Sequence, residues 1–432
     1  MGYKPRCSRA HVLDQHSQMA GLHWLYSTVS AESGRQTKES PQEPINVHRH
    51  QRKKKAFQHN IPHCNMSTRL PFTKIVHNPT KPELVLANGH HFLVLNTSTG
   101  ELIKSYPQDA KIDNVSDYYR SMQFNKDGSL LATSGENKQV CVWDTKDWSL
   151  KFSRPAYKRV NAIAFNKDST QLLAADKFGD VYLHPAEQGV EGQEKLQPIV
   201  GHVSMVTDML LTSDDKYVVT SDRDEHIRVS RFPNGYNIES FCLGHTDVVT
   251  CIDILPWDET ILVSAGGDGT VRLWDYVKGA NKQIVDLKSE IEAYKPPAAD
   301  ANSEDAIISA LAFDTNTKTL AVAFAKSPAV LILNWKEDVG FVYSETKLAP
   351  SPILDIAYNL EGKLWASLDG EKLVHVFGDE EQELAKQINA AEVCKSDKIF
   401  DLYTIFGLRK FLDLPESQAN EETASNKKRK TD

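Results

Sequence analysis

Apolar residues along most of this chain come in short runs of four to seven, rich in Val, Ile, Leu and aromatics and broken by Gly, Asp, Asn and Pro turns. Runs of that length and type predict β-strands rather than helices, and the turn residues between them predict hairpins. The clearest stretch is GHTDVVTCIDILPWDETILVSAGGDGTVRLWDY, Gly244 to Tyr276. It reads as strand, Pro-Trp-Asp-Glu turn, strand, Gly-Gly-Asp-Gly turn, strand. A second stretch, SMQFNKDGSLLATSGENKQVCVWD, has the same alternation and ends at Trp143-Asp144.

The pattern repeats. The apolar slot filled by Trp143 and Trp274 can be followed through weaker copies at Leu95, His184, Ser230, Leu333 and Phe377, with successive gaps of 48, 41, 46, 44, 59 and 44 residues. A period in the forties with Gly-His and Trp-Asp marks identifies WD repeats, so the fold class is all-β: a seven-bladed WD-repeat β-propeller of about four strands per blade. A small sheet cannot bury two apolar faces alone, and blade against blade around an axis buries both. The wide gap of 59 places an insertion near KSEIEAYKPPAADANSED, read as a rim loop from its Pro-Pro and acidic residues. The segment 398–412, KIFDLYTIFGLRKFL, is too apolar for a free tail and reads as a closing strand or a short helix against the disc or a partner.

Charge divides the chain further. The whole carries 50 Lys/Arg and 58 Asp/Glu, a net of −8. Residues 1–65 hold ten Lys/Arg against four Asp/Glu and lack strand or helix periodicity, so they read as a disordered basic extension; the patterned stretch opens at Met66. The propeller spans 66–412, and 413–432 reads as a disordered tail. Its Lys427, Lys428, Arg429 and Lys430 form a basic cluster of the kind nuclear import receptors read, which predicts a nuclear location. No apolar run is long enough to span a bilayer. The six cysteines are scattered without C-x-x-C spacing, as in a reducing compartment. His59, His63 and Cys64 cluster but lack a fourth ligand at suitable spacing, so no metal site is read there.

Candidate chemistry is sparse. His202 and His245 follow glycine as WD-repeat histidines do, where the ring bonds a turn Asp and a Ser or Thr. Together with Asp222 and Asp268 at the tight turns and Trp143 and Trp274 in the slots, they are given structural roles. The run 266–269 (GGDG) joins two strands and opens no helix, so it is no phosphate cradle. No nucleophile elbow, Walker motif, zincin motif or dinucleotide turn occurs, and the chain is read as non-catalytic, without a cofactor of its own. One charged stretch stands out. In TSDRDEHIRVS (220–230), His226 and Arg228 alternate with Ile227 and Val229 after an Asp222–Glu225 turn, which predicts a surface cation on a rigid strand, suited to docking or else part of a solvated salt-bridge cluster.

Four blocks, ADKFGDVY (175–182), GHVSM (201–205), TSDRDEHIRVS (220–230) and IESFCLGH (238–245), followed by SAGGDGTVRLWDY, closely resemble one WD-repeat family in order and spacing. That family is the non-catalytic subunit of the eukaryotic tRNA (guanine-7-)methyltransferase. The similarity is strong over 155–276, recurs weakly at DLYTIFGLRKF, and finds no counterpart for residues 1–65. The resemblance implies a propeller that binds a separate catalytic subunit edge-on and keeps it active. That partner would carry S-adenosylmethionine and form 7-methylguanosine in the tRNA variable loop. It also implies that Arg228, with Arg223, His226 and Lys177 beside it, meets acidic residues of the partner. With its net negative charge, the propeller is expected to reach tRNA mainly through that partner. The competing readings are a generic nuclear WD-repeat scaffold of another complex and an enzyme with a site in the central channel.

Overall fold

The computed structural model describes residues 68–107, 118–186, 196–296, 306–379, 382–391, 395–396 and 401–409. All belong to the unit Met66–Asp432. The tails, the His59–Cys64 cluster and the Lys427–Lys430 cluster lie outside the described residues.

Seven antiparallel meanders make up the structure. Blade 1 begins at Lys74–His77, blade 2 at Tyr119–Phe124, blade 3 at Val160–Phe165 and blade 4 at Val206–Leu211. Blade 5 begins at Val249–Ile254, blade 6 at Ile308–Asp314 and blade 7 at Ile353–Tyr358. Each of these is the innermost strand of its sheet, and successive inner strands touch all the way round, blade 7 meeting blade 1. The slot residues Leu95, Trp143, His184, Ser230, Trp274 and Leu333 all stand on third strands, and Phe377 follows the last one, Val374–Val376.

Burial follows position in the blade. Second strands such as Glu83–Asn88, Leu130–Gly135 and Ile261–Gly266 are buried at every residue, being flanked by strands on both edges and by blades on both faces. Outer strands such as Ala280–Asp286 alternate toward solvent. The apolar core is accordingly divided into seven wedges, one per blade junction. Each fully buried Leu, Val or Phe in a wedge contributes about 1.5–3 kcal/mol. Polar side chains stitch the inner strands together. Asn161 Nδ2 donates to Val206 O (2.8 Å), Thr250 Oγ1 to Ile308 O (2.6 Å), and Asp208 Oδ2 accepts from Ile252 N (2.9 Å). In six blades the inner strand carries a register shift just after its first residue, a bulge that re-aims the residues beside it.

The expectation of about four strands per blade fails at blade 7, where the described sheet has three. Helix Glu383–Ala390 lies against the third strand instead, burying Leu384, Ala385 and Ile388 at the junction with blade 1. Asn389 serves the open strand edge as a neighbouring backbone would. Its Oδ1 accepts from Leu373 N (2.7 Å) and Val374 N (3.0 Å), and its Nδ2 donates to Val374 O (2.9 Å). Arg69 Nη2 then donates to Asn389 O and Ala391 O, and Thr68–Arg69 pairs with Lys395–Ser396. The insertion after blade 5, read as a loop, is helical over Lys288–Tyr294. Leu287 and Ile291 are fully buried in the blade 5–6 wedge, which anchors the turn.

Three histidines, His91 and His184 buried and His77 half-buried, give the fold a measurable acid sensitivity. Burial lowers the pKa of His77 to about 3, and of His91 and His184 to about 4. Below pH 6.5 the unfolded chain takes up protons that these rings refuse. Each ring's contribution is therefore complete above 6.5 and is lost as pH falls toward its folded value, by about 1.4 kcal/mol per pH unit. His184→Leu should flatten this loss. The stability gap between variant and wild type, measured by denaturant titration at pH 7, 6 and 5, should move in favour of the variant as pH falls. A gap independent of pH would contradict the assignment.

Candidate functional site

In an antiparallel meander, the turns from second to third strand lie on the same rim as the loops leading into the next blade. That rim holds the motif residues of blades 3, 4 and 5. His245 leads into blade 5, with Nδ1 2.9 Å from Asp268 Oδ2 and Nε2 2.7 Å from Ser264 Oγ. Trp274 Nε1 donates to the same Ser264 Oγ at 2.8 Å. This chain of four side chains ties a loop, a turn and two strands. Burial would raise the Asp268 pKa, but the His245 hydrogen bond and charge outweigh it, and the carboxyl is held well below the usual range.

Blade 4 departs from this arrangement. His202 Nδ1 lies 3.0 Å from Asp222 Oδ2, and Nε2 lies 2.6 Å from Thr220 Oγ1. In register Asp268 corresponds to Asp224, two positions on, so the histidine here pairs with a different turn carboxylate. Asp222 Oδ1 also accepts from Asp224 N (2.8 Å) and His226 N (3.0 Å). The slot of Trp274 is filled here by Ser230. In blade 2, Trp143 keeps the aromatic slot and donates to Thr133 Oγ1 at 3.2 Å.

Arg228 stands two residues before Ser230 on the third strand of blade 4. The strand reading placed Arg228 opposite Ile227 and Val229, which do face the blade 5 wedge. The other face was expected to be surface, and this is corrected: Arg228 is buried, 9% exposed. Its Nε donates to Ser230 Oγ (2.8 Å), Nη1 to Gly201 O (3.0 Å) and Nη2 to Gly235 O (2.7 Å). Gly201 ends the outer strand of blade 3, and Gly235 sits in the turn before the outer strand of blade 4. Two peptide carbonyls meet at this seam, and the planar guanidinium satisfies both. Arg272, the counterpart in blade 5, bonds inward likewise, to Thr270 and Asp268.

The other three cations of the motif do reach the rim. Arg223 and His226 are exposed and Lys177 half-buried. His226 Nδ1 lies 3.5 Å from Asp222 Oδ1, and Arg223 Nε lies 3.7 Å from Asp224 Oδ1. Lys177 Nζ and Lys158 Nζ lie 5.3 and 4.8 Å from the centre of the Phe178 ring. The structure adds residues that the charge pattern did not single out. Phe178, Val203 and Leu243 stand exposed in the turn of blade 3 and the loops before and after blade 4, and Phe241 is exposed on blade 4's outer strand. An apolar residue where a turn calls for a polar one, as in KFG or GHV, was the available signal. The rim thus presents exposed apolar side chains alongside these cations. Among the described residues no cluster of three or more His, Cys, Asp or Glu could hold a metal ion.

Comparison with known proteins fits these observations. Residues 7–195 and 184–390 match the family described as the tRNA methyltransferase TRM82 WD40 domain, and the first match reaches into the extension for which no counterpart was recognised. The non-catalytic subunit TRM82 of tRNA (guanine-N(7)-)-methyltransferase from Eremothecium gossypii is 32% identical over 68% of this chain and 75% of its own length. The human non-catalytic subunit WDR4 is 32% identical over 61% of this chain and 62% of its own, so under two thirds of that relative is covered. Among solved structures, U3-55K and the RRP9 WD40 repeats superpose with a TM-score of 0.57 at 20% identity, covering 71% and 72% of this chain and 91% of each of theirs, a likeness of fold alone. This chain belongs to the family of the tRNA methyltransferase TRM82 WD40 domain.

Proposed function

We propose that this chain is the non-catalytic subunit of a tRNA (guanine-N7)-methyltransferase, a rigid propeller that holds a separate catalytic subunit in its working form. The observation that carries the reading is the rim of blades 3 and 4. It sets Phe178, Val203 and Leu243 among Lys177, Arg223 and His226, within the very blocks that mark the family. A specific interface needs an apolar centre and a charged edge, and this rim supplies both. Lys177, Arg223 and His226 meet acidic residues of the catalytic subunit, while Arg228 supports them from beneath by fixing the blade 3–4 seam. S-adenosylmethionine binds the catalytic subunit. tRNA is held mainly there too, since the acidic balance of 66–432 disfavours phosphate contacts on average. The Lys427–Lys430 cluster directs the chain to the nucleus, which a Lys/Arg→Ala cluster variant fused to a fluorescent protein tests.

The decisive experiment is a methylation assay with the purified catalytic subunit, S-adenosylmethionine and unmodified tRNA, with and without this chain. Activity and co-purification that depend on the chain support the proposal. A catalytic subunit that neither binds it nor responds to it leaves a scaffold of another nuclear complex. A sharper form uses the double variant Lys177→Glu/Arg223→Glu. The melting temperature should stay within about 2 °C of wild type, because exposed charges contribute little to stability. Affinity for the catalytic subunit should fall at least about tenfold, since like charges facing across an interface can cost several kcal/mol. Unchanged affinity would remove these cations from the contact.

A further inference from the structure

Residues 401–409 follow the closing helix and carry DLYTIFGLR, the apolar stretch that fits no blade. Thr404–Leu408 forms a turn of 3-10 helix at the mouth of the central channel. A cavity of about 220 Å³ lies there, walled by inner-strand residues from Lys74 in blade 1 round to Leu354 in blade 7, with Leu402, Tyr403, Ile405 and Leu408 on its other side. The segment is pinned at three successive blades on one rim. Tyr403 Oη donates to Asp369 Oδ2 in the blade 7 turn at 2.8 Å. Lys326, in the blade 6 turn, holds its ammonium 5.4 Å from the Tyr403 ring centre and 4.8 Å from that of Phe406. Arg409 Nε donates to Asp247 Oδ2, in the loop entering blade 5, at 2.6 Å.

From this geometry we infer that residues 401–409 are a self-ligand, a plug that occupies the channel mouth and braces blade 7, whose described sheet has three strands, against blades 5 and 6. A propeller closed by strand pairing alone spreads its closure along one sheet edge. Here the edge is served by a helix and one asparagine amide, and a spoke across the rim supplies further restraint between blades that are not sequence neighbours. With the plug seated, an outside peptide cannot use the channel mouth. A macromolecular partner is then left the side and rim of the disc.

The test keeps the full chain and compares wild type with Tyr403→Ala/Arg409→Ala and, as a variant that disturbs packing least, Tyr403→Phe, which removes only the hydroxyl that donates to Asp369. Hydrogen exchange followed by mass spectrometry reports on 401–409 and on blade 7 strands Leu364–Leu368 and Val374–Val376. A fluorescein-labelled peptide of sequence DLYTIFGLR reports on access to the mouth. In wild type the segment should be protected and the peptide excluded. In both variants, exchange at 401–409 and in blade 7 should rise at least about tenfold, and the double variant should bind the peptide in trans. The inference is overturned if wild-type 401–409 exchanges like a free peptide. It is equally overturned if the variants match wild type in exchange and in exclusion of the peptide. A catalytic subunit is not needed, so the outcome is independent of the proposed methyltransferase role.

Discussion

Arg228→Glu is expected to destabilise the propeller by about 3–5 kcal/mol, because it replaces a buried, fully engaged cation with a buried anion facing two carbonyls. Gly201 O and Gly235 O would lose their donors and gain a like partial charge, and Ser230 Oγ would lose Arg228 Nε. For a domain of this size the loss should lower the melting temperature by about 4–7 °C. Binding to a catalytic subunit should fall as well, chiefly in step with the folded fraction and with distortion of the blade 3–4 rim. Arg228→Lys separates charge from geometry. An ammonium keeps the charge but cannot span Ser230, Gly201 and Gly235 at once, so it should forfeit about 1–3 kcal/mol. If Arg228→Glu kept the wild-type melting temperature and still lost its partner, the side chain would be acting as a surface anchor and the buried geometry would be wrong.

Arg228 also marks where reading the sequence stops. Period-2 alternation correctly set it opposite Ile227 and Val229, because that depends only on the strand itself. Whether the opposite face meets solvent depends on blade 3, whose outer strand Val200–Gly201 stands against it through a turn at Gly235. No local pattern carries that information. The weak slot at Ser230 gave no signal either, since Arg272 is equally buried in a blade whose slot does hold a tryptophan. The repeat period itself was legible, since every slot residue from Leu95 to Leu333 occupies a third strand. The period survives because each blade must present the same two faces to its neighbours.

The departures cluster where the repeat ends or is interrupted. Blade 7 closes on helix Glu383–Ala390 rather than on a fourth strand of its sheet, and neither the helix nor the Asn389 amide has a repeat to be read from. Lys288–Tyr294 looked like a rim loop from its acidic residues and the prolines after it. Leu287 and Ile291, four apart, were the helical signal, and they are the residues that bury. On the rim, the charge pattern found Arg223 and His226, and the resemblance added Lys177, but both passed over Phe178 and Val203. Isolated apolar residues in turns carry little weight until the fold shows several of them sharing one face.

His245→Ala is expected to lower stability by about 2–4 kcal/mol, through the loss of two buried hydrogen bonds and the exposure of a charge to an apolar setting. The ring's side chain is fully buried, and Asp268 beside it is 2% exposed. Without the imidazole, Asp268 keeps Thr270, Thr246 N and the longer contact from Arg272. Ser264 Oγ keeps Trp274 Nε1 but loses the ring nitrogen. The pH dependence identifies the mechanism. Asp268 has its pKa depressed in the folded state, so its contribution is complete above the unfolded carboxylate value near 4 and is lost as pH falls through the folded value. Removing His245 raises the folded value, so as pH falls below about 4 the variant should lose less stability than wild type, and the gap seen at neutral pH should narrow on acidification. His202→Ala offers the internal comparison. Its partners Asp222 and Thr220 are equally close, but no tryptophan closes the chain through Ser230. The loss there should be smaller, because the His202 and Asp222 side chains are slightly more exposed than those of His245 and Asp268. Melting curves of both variants at pH 7 and at about pH 3, below the ordinary carboxylate pKa, decide the matter. A His245→Ala protein as stable as wild type at pH 7 would show that the four-residue chain is not what holds the blade.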